Sequence, residues 1–192
     1  MNKLKAKPLN DGSKNYNPKE LSFWQLIKED YRTHDSELFN QGFIALFTNR
    51  FGNKRMDIKI KVFRLSFTIL YLFMRKFCQV FCGIKLDYTV IVGRRVKFEH
   101  FGGMVIGARE IKDDVIIRQN TTMGIKNLSD LNAKPTIGYN VQIGAGAVIV
   151  GDIVIGEHSI IGANVVVYND IPSYTLVRPA GNQISQLGTP PT

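Results

Sequence analysis

A six-residue period runs through the second half of the chain and constrains its fold more tightly than any other feature. Ile137, Ile143, Ile149, Ile155, Ile161 and Val167 fall six apart without a slip, and glycine follows four of them, at Gly138, Gly144, Gly156 and Gly162. Four residues after each of the first five come Val141, Ala147, Ile153, Ser159 and Val165, a second row of small or β-branched side chains. Leu86, Val92 and Phe98 keep the same spacing, and Val105, Ile111, Ile117 and Met123 resume it after one extra residue. The 14-residue step from Met123 to Ile137 implies a loop extruded over about residues 125–135.

A unit this short is one strand and one turn, which cannot bury its apolar side chain alone. Three units close a triangular coil, and stacking coil on coil buries a continuous column, which is a parallel β-helix. The glycines are expected to serve corners where φ is positive. A β-sandwich also supplies Val/Ile-rich strands, but it does not hold a strict period over so many units.

Residues 20–80 differ, with helical spacing in ELSFWQLIKEDYR, SELFNQGFIALF and IKVFRLSFTILYLFMRKFCQVF. The sequence thus divides into a flexible N-terminus (1–18), a helical region (19–82), a β-helix (83–184) and a flexible tail (185–192). Only ten residues separate Arg64 from Arg75, about half the roughly 20 that a spanning helix needs, so the last run is expected to pack on its neighbours or to lie on a membrane surface.

Charge is uneven. Residues 1–80 hold 15 Lys/Arg against 7 Asp/Glu, and residues 81–192 hold 10 against 9, so the halves carry +8 and +1 of the total +9. A basic excess suits nucleic acid, an anionic membrane or an anionic substrate, and no nucleic-acid motif supports the first. The polar start MNKLKAKPLN has no apolar core of the signal-peptide kind, and Cys78 and Cys82 read as buried thiols in a reducing compartment.

Three histidines are present. His34, in YRTHDSE, reads as a surface or helix-capping residue, and His158, in IGEHSIIG, as a solvated outward side chain. His100, in KFEHFGG, sits where the repeat slips and two glycines follow, so it can project from the coil. Near neutral pH a histidine suits general-base work on a hydroxyl. No G-x-S-x-G elbow occurs and neither cysteine has a histidine nearby in sequence, which favours direct attack over a covalent acyl-enzyme.

From about Gly83 to Ala180 the chain resembles the serine acetyltransferase branch of the hexapeptide acyltransferases. The resemblance is carried by IVGRRVKFEHFGGMVIG, IIRQNTTMG, PTIGYNVQIGAGAVIVGDIVIGEHSIIGANVVV and NDIPSYTLVRPA. It implies a left-handed parallel β-helix, homotrimers with active sites in clefts between adjacent helices, and acetyl-CoA as cosubstrate; the three histidines are not placed to share a metal, so none is expected. The resemblance places the catalytic base on His100 and acceptor contacts on Lys85, Glu99 and Lys134. Acetyl-CoA is implied to run toward the C-terminal coils past Ala145 and Ala163, with Gly124 near the thioester and further contacts at Lys126 and Arg178.

Two departures follow from the same resemblance. Where serine acetyltransferases carry Asp-Ile-His, this chain reads Lys85-Leu86-Asp87, which leaves Asp87 to orient His100. Their Arg-His pair before a proline, which binds the amino-acid carboxylate, is here Ala133 and Lys134 before Pro135. Losing the guanidinium fork removes bidentate carboxylate recognition and counts against serine as acceptor. Gly93-Arg94-Arg95, Arg118, the short loop before Pro135 and the basic, apolar N-terminal helix resemble acetyltransferases of colanic acid and other capsules. The expectation is therefore an acetyl-CoA-dependent O-acetyltransferase acting on a sugar hydroxyl of a surface polysaccharide or its lipid-linked precursor. It would be cytoplasmic, at the inner face of an anionic membrane. Serine acetylation in cysteine synthesis and a non-catalytic trimeric scaffold stay open as alternatives.

Overall fold

The structure, a computed structural model, describes residues 9–179. The flexible segments expected at residues 1–8 and 185–192 lie outside the described residues. From Ile84 to Val177 short strands hydrogen-bond in parallel into three walls. The first wall holds β1 (Ile84–Leu86), β4 (Met104–Ile106), β7 (Thr122–Gly124), β10 (Val148–Val150) and β13 (Val166–Val167). The second holds β2 (Ile91–Val92), β5 (Glu110–Ile111), β8 (Thr136–Ile137) and β11 (Val154–Ile155). The third holds β3 (Lys97–Glu99), β6 (Ile116–Arg118), β9 (Gln142–Ile143), β12 (Ile160–Ile161) and β14 (Leu176–Val177). Successive strands change wall, and every third strand up to β13 returns to the same one, an isolated bridge from Ile171 to Ile155 standing in the second wall before β14, so the chain winds a triangular prism matching the hexapeptide left-handed β-helix. Ile137, Ile143, Ile149, Ile155 and Ile161 point into it at 0–1% exposure.

Three details differ from the sequence reading. Gly138, Gly144, Gly156 and Gly162 do not have positive φ; those values fall on corner residues such as Asp114, Asn120, Asn140, His158 and Asn164. The glycines are required by close stacking instead. A Cβ on Gly138 would lie 2.7 Å from the amide of Glu157, and one on Gly144 only 2.5 Å from that of Ala163, both in the next coil. Val105 is 41% exposed, and Ile106 takes the inward slot, in register with Met123. The slip is therefore larger than one residue at the corner holding His100, and a shorter step to Ile111 partly cancels it. Finally, β7 and β8 are successive strands, so residues 125–135 replace a single corner. Arg109 ties this excursion down by donating to the Asn132 carbonyl and to Asp152, at 2.9 Å each.

Ahead of the prism, Ser22 and Gln25 form a capping box that starts α1 (Phe23–Thr33). Asn40, accepting from the amides of Gly42 and Phe43, starts α2 (Gln41–Lys54) five residues later than the helical spacing suggests. Residues 36–39 form the turn between them, after positive φ at Asp35 and Ser36. Helix α3 (Lys61–Phe77) continues through a π-type turn, Cys78–Cys82, to Gly83 at φ +64°. Together Lys61–Cys82 make 22 residues, long and apolar enough by length and composition to cross a membrane, which the spacing of Arg64 and Arg75 did not suggest. Cys78 and Cys82 are buried free thiols. Asn10 is buried, and Tyr16 and Asn17 bond to Asn53 and the Arg50 carbonyl, so this part of the expected flexible start lies along α2.

The helices are locked to the first coil by buried polar groups. Arg50, fully buried, meets Asp30 through Nε at 2.9 Å and donates to the carbonyls of Val92 and Gly93 at 2.6 Å each. His34 is not the surface residue the sequence suggested. It caps α1 but is 0% exposed, its Nδ1–H donating to the Asp30 carbonyl at 2.8 Å.

Candidate active site

Where the third wall turns into the first, the corners of successive coils stack into one edge: residues 100–103, 119–121, 144–147 and 162–165. Backbone hydrogen bonds run up it, from Asn120 N–H to the Gly102 carbonyl (3.0 Å), Gly146 to Gln119 (2.9 Å) and Asn164 to Ala145 (2.8 Å). His100 heads this edge, and Ala145 and Ala163 follow two and three coils on. Three residues expected to act together are thus brought into line. Arg178, directly after β14, leaves the third wall at the same edge.

The His100 corner is unlike the others. His100 itself holds φ +58°, and Gly102 and Gly103 follow at +105° and +63°. That sequence of conformations needs glycine, and a Cβ on Gly103 would press against the Asn120 side chain at 2.5 Å. The longer corner pushes the imidazole out into solvent. It lines a hollow of about 270 Å³ with Lys97, Glu99, Phe101, Asp35 and Glu37. Glu99 accepts from Arg118 Nε at 3.1 Å, while Lys97 reaches Asp35 at 3.0 Å. The turn after α1 and the first residues of α2 therefore wall this hollow, a contribution that no spacing in the sequence signals.

Lys85, Asp87, Gly124 and Lys134 meet elsewhere, around a hollow of about 300 Å³ on the first wall. Asp87 gives its carboxylate to Arg75, so it does not orient His100 within one chain as the sequence reading expected. Ala133 faces a third hollow with Lys126, whose ammonium lies 5.0 Å from the centre of the Tyr168 ring. His158 is exposed, as expected, and stacks on Tyr174 at 4.8 Å.

Arg94 grips Glu29 of α1 through two bonds, 3.1 and 2.7 Å, and Arg95 grips Asp114 of the next coil at 2.6 and 2.7 Å. The Gly93-Arg94-Arg95 segment is a structural clamp, and Arg118 is held by Glu99. None of these guanidinium groups needs an acceptor sugar to account for it.

The prism has the fold of the hexapeptide-repeat transferases, and residues 134–169 match the family described as bacterial transferase hexapeptide (six repeats). The chain's sequence is similar to serine acetyltransferases. It is 38% identical over 110 residues to the serine acetyltransferase of Mycobacterium tuberculosis, covering 57% of this chain and 48% of that protein. With the enzyme of Staphylococcus xylosus it shares 40% over 123 residues, covering 62% and 57%. With that of Bacillus subtilis it shares 29% over 172 residues, covering 86% and 79%. The chain thus spans about half the length of the first two relatives. Among solved structures, the soybean serine acetyltransferase apoenzyme superposes with a TM-score of 0.68 at 28% identity, over 83% of this chain and 68% of that one. A serine acetyltransferase in complex with CoA gives 0.61 at 27%, over 81% and 66%.

These relatives correct the expectation of a polysaccharide sugar as acceptor. That expectation rested on the lost Arg-His pair, on Arg94, Arg95 and Arg118, on the short loop before Pro135 and on the basic, apolar N-terminal helix. The three arginines are engaged in structural ion pairs, and the lost fork is set against two cations, Lys85 and Lys134, that converge in one hollow.

Proposed function

We propose that this chain is an acetyl-CoA-dependent O-acetyltransferase whose acceptor is the hydroxyl of L-serine, with His100 as general base. The observation that carries the proposal is the solvent-facing imidazole of His100 at the head of an edge whose later corners, residues 144–147 and 162–165, are rich in Gly and Ala. In the reaction, His100 takes the hydroxyl proton as the oxygen attacks the thioester carbonyl. The tetrahedral intermediate collapses by breaking its C–S bond, and the imidazolium returns the proton to the departing thiolate.

The residues present fit acetyl-CoA. Gly124 leaves open space where a Cβ would stand, with no atom within 4 Å, whereas Gly107, directly after the neighbouring strand β4, has none to spare. Ala145 and Ala163 keep the edge low for an extended pantetheine. Lys85 and Lys134 are the groups with the charge to hold the serine carboxylate, and Glu99 the group to face its ammonium. Hexapeptide-repeat transferases are generally trimers. A trimer whose clefts set the His100 edge of one copy against the Lys134-bearing loop of the next would bring the two hollows together. CoA release from acetyl-CoA, measured with L-serine and with candidate sugar acceptors, tests the reading: brisk turnover with serine supports it, and turnover with a sugar alone overturns it.

A further inference from the structure

Helix α3 is inside out. The residues it turns toward α2 and the first coil are Arg64, Thr68, Tyr71, Arg75 and Cys78, with Cys82 following in the next turn. Most of that seam is polar and bonded: Thr68 accepts from Arg55 at 3.0 Å, the Tyr71 hydroxyl accepts from the Tyr88 amide at 3.2 Å, and Arg75 holds Asp87. At 3.6 residues per turn these seam positions span about 80°, which leaves an arc of about 280°. Within α3 it is apolar apart from Lys61, Ser66 and Lys76. Val62, Phe73 and Phe81 are 76%, 70% and 70% exposed, and Phe63, Leu65 and Ile69 are exposed beside them. Contiguous apolar surface of this extent marks an interaction site.

Charge selects the occupant. Residues 58–82 contain Lys59, Lys61, Arg64, Arg75 and Lys76 and not one Asp or Glu. A second copy laid parallel along this face sets Lys61 against Lys61, and laid antiparallel it sets Lys61 against Lys76. Either pairing opposes basic groups with no acid between them. Lys59, Lys61 and Lys76, exposed outside the seam, meet anionic lipid headgroups favourably, while the acyl boundary takes the apolar arc. The helix is long enough to cross a bilayer, but its polar seam is bonded to the folded body along its length, which holds it parallel to a surface.

We propose that α3 docks lengthwise on an anionic membrane surface, anchoring the β-helix there. Docking is independent of which hydroxyl is acetylated. The test is co-sedimentation of the full chain with vesicles of phosphatidylcholine alone or mixed with phosphatidylglycerol. The expected result is binding at least about 10-fold tighter to the anionic vesicles, weakening as salt is raised. Two variants at exposed positions, Lys59→Gln/Lys61→Gln/Lys76→Gln and Val62→Asn/Phe73→Asn, should each lower it about 10-fold with the thermal midpoint unchanged. Independently, Phe73→Trp in a Trp24→Phe background should be quenched by brominated acyl chains. The proposal is overturned by an absence of vesicle binding, by binding that ignores both variants, by an unquenched Trp, or by a fall in solution mass on Val62→Asn/Phe73→Asn, which would assign the face to a second copy.

Discussion

The amide of Phe98 donates to Nε2 of His34 across 3.2 Å, so a fully buried imidazole in the helical region holds the strand that delivers His100 two residues later. With Nδ1–H committed to the Asp30 carbonyl, both ring nitrogens are used and the ring must be neutral. Burial pushes its pKa below the ordinary value of 6.5. Above that value folded and unfolded imidazoles are both neutral, and stability does not depend on this group. As pH falls below about 6.5 the unfolded ring takes a proton that the buried one refuses, so stability declines. Denaturant unfolding against pH should show this decline in the wild type, and the His34→Gln variant should show a shallower one.

Removing the ring has a second consequence. His34→Ala leaves the Phe98 amide without its acceptor and opens a cavity, an expected cost of about 2–4 kcal/mol by urea unfolding. Because the same bond supports the corner, acetyl transfer should fall as well, with kcat affected more than the KM for acetyl-CoA.

Arg50 and Asp30 form a fully buried pair, and Arg50 also caps two carbonyls of the first coil. Breaking such a pair strands the remaining charge. Arg50→Leu should lower stability by about 3–5 kcal/mol, read from the urea midpoint, and should free the helices from the prism.

Two glycines give opposite outcomes. Gly144→Ala drives a methyl to 2.5 Å from the Ala163 amide and should cost about 1–3 kcal/mol through displacement of the next coil. Gly124→Ala meets no atom within 4 Å, so its thermal midpoint should match the wild type. If Gly124 borders the pantetheine, the same variant raises the KM for acetyl-CoA, which steady-state kinetics will read.

Much of the prism was legible because a six-residue period from Ile137 to Val167 is one physical requirement repeated: an inward apolar side chain at each strand. What the period does not encode is how coils fit against each other. Glycines at 138 and 144 look like positive-φ residues in a sequence, whereas the structure needs them because the next backbone is too near for a methyl. Val105 and Ile106 are both β-branched, so only register with Met123 decides which points inward. His100 stood out because it breaks the pattern. The partners around it did not, since Asp35, Glu37 and His34 come from a turn some sixty residues away, and contacts at that separation leave no spacing to read. The acceptor was misjudged for a related reason: Ala133 and Lys134 were weighed as lost arginine geometry, while the convergence of Lys134 with Lys85 appears only once the loop folds back.

Those two lysines carry a prediction of their own. Lys134→Ala and Lys85→Ala should each raise the KM for L-serine about tenfold or more, the loss of a charge-assisted contact to carboxylate, and leave the KM for acetyl-CoA unchanged. Lys134→Arg should retain most of the affinity.

The most direct measurement is CoA release with saturating acetyl-CoA and L-serine, comparing the wild type with His100→Asn. The side chain is exposed at a corner, and asparagine accepts positive φ, so the variant keeps its fold and assembly. Loss of about 10²–10⁴ in kcat with an unaltered thermal midpoint is the predicted result. Equal turnover by the two proteins would contradict His100 as the base.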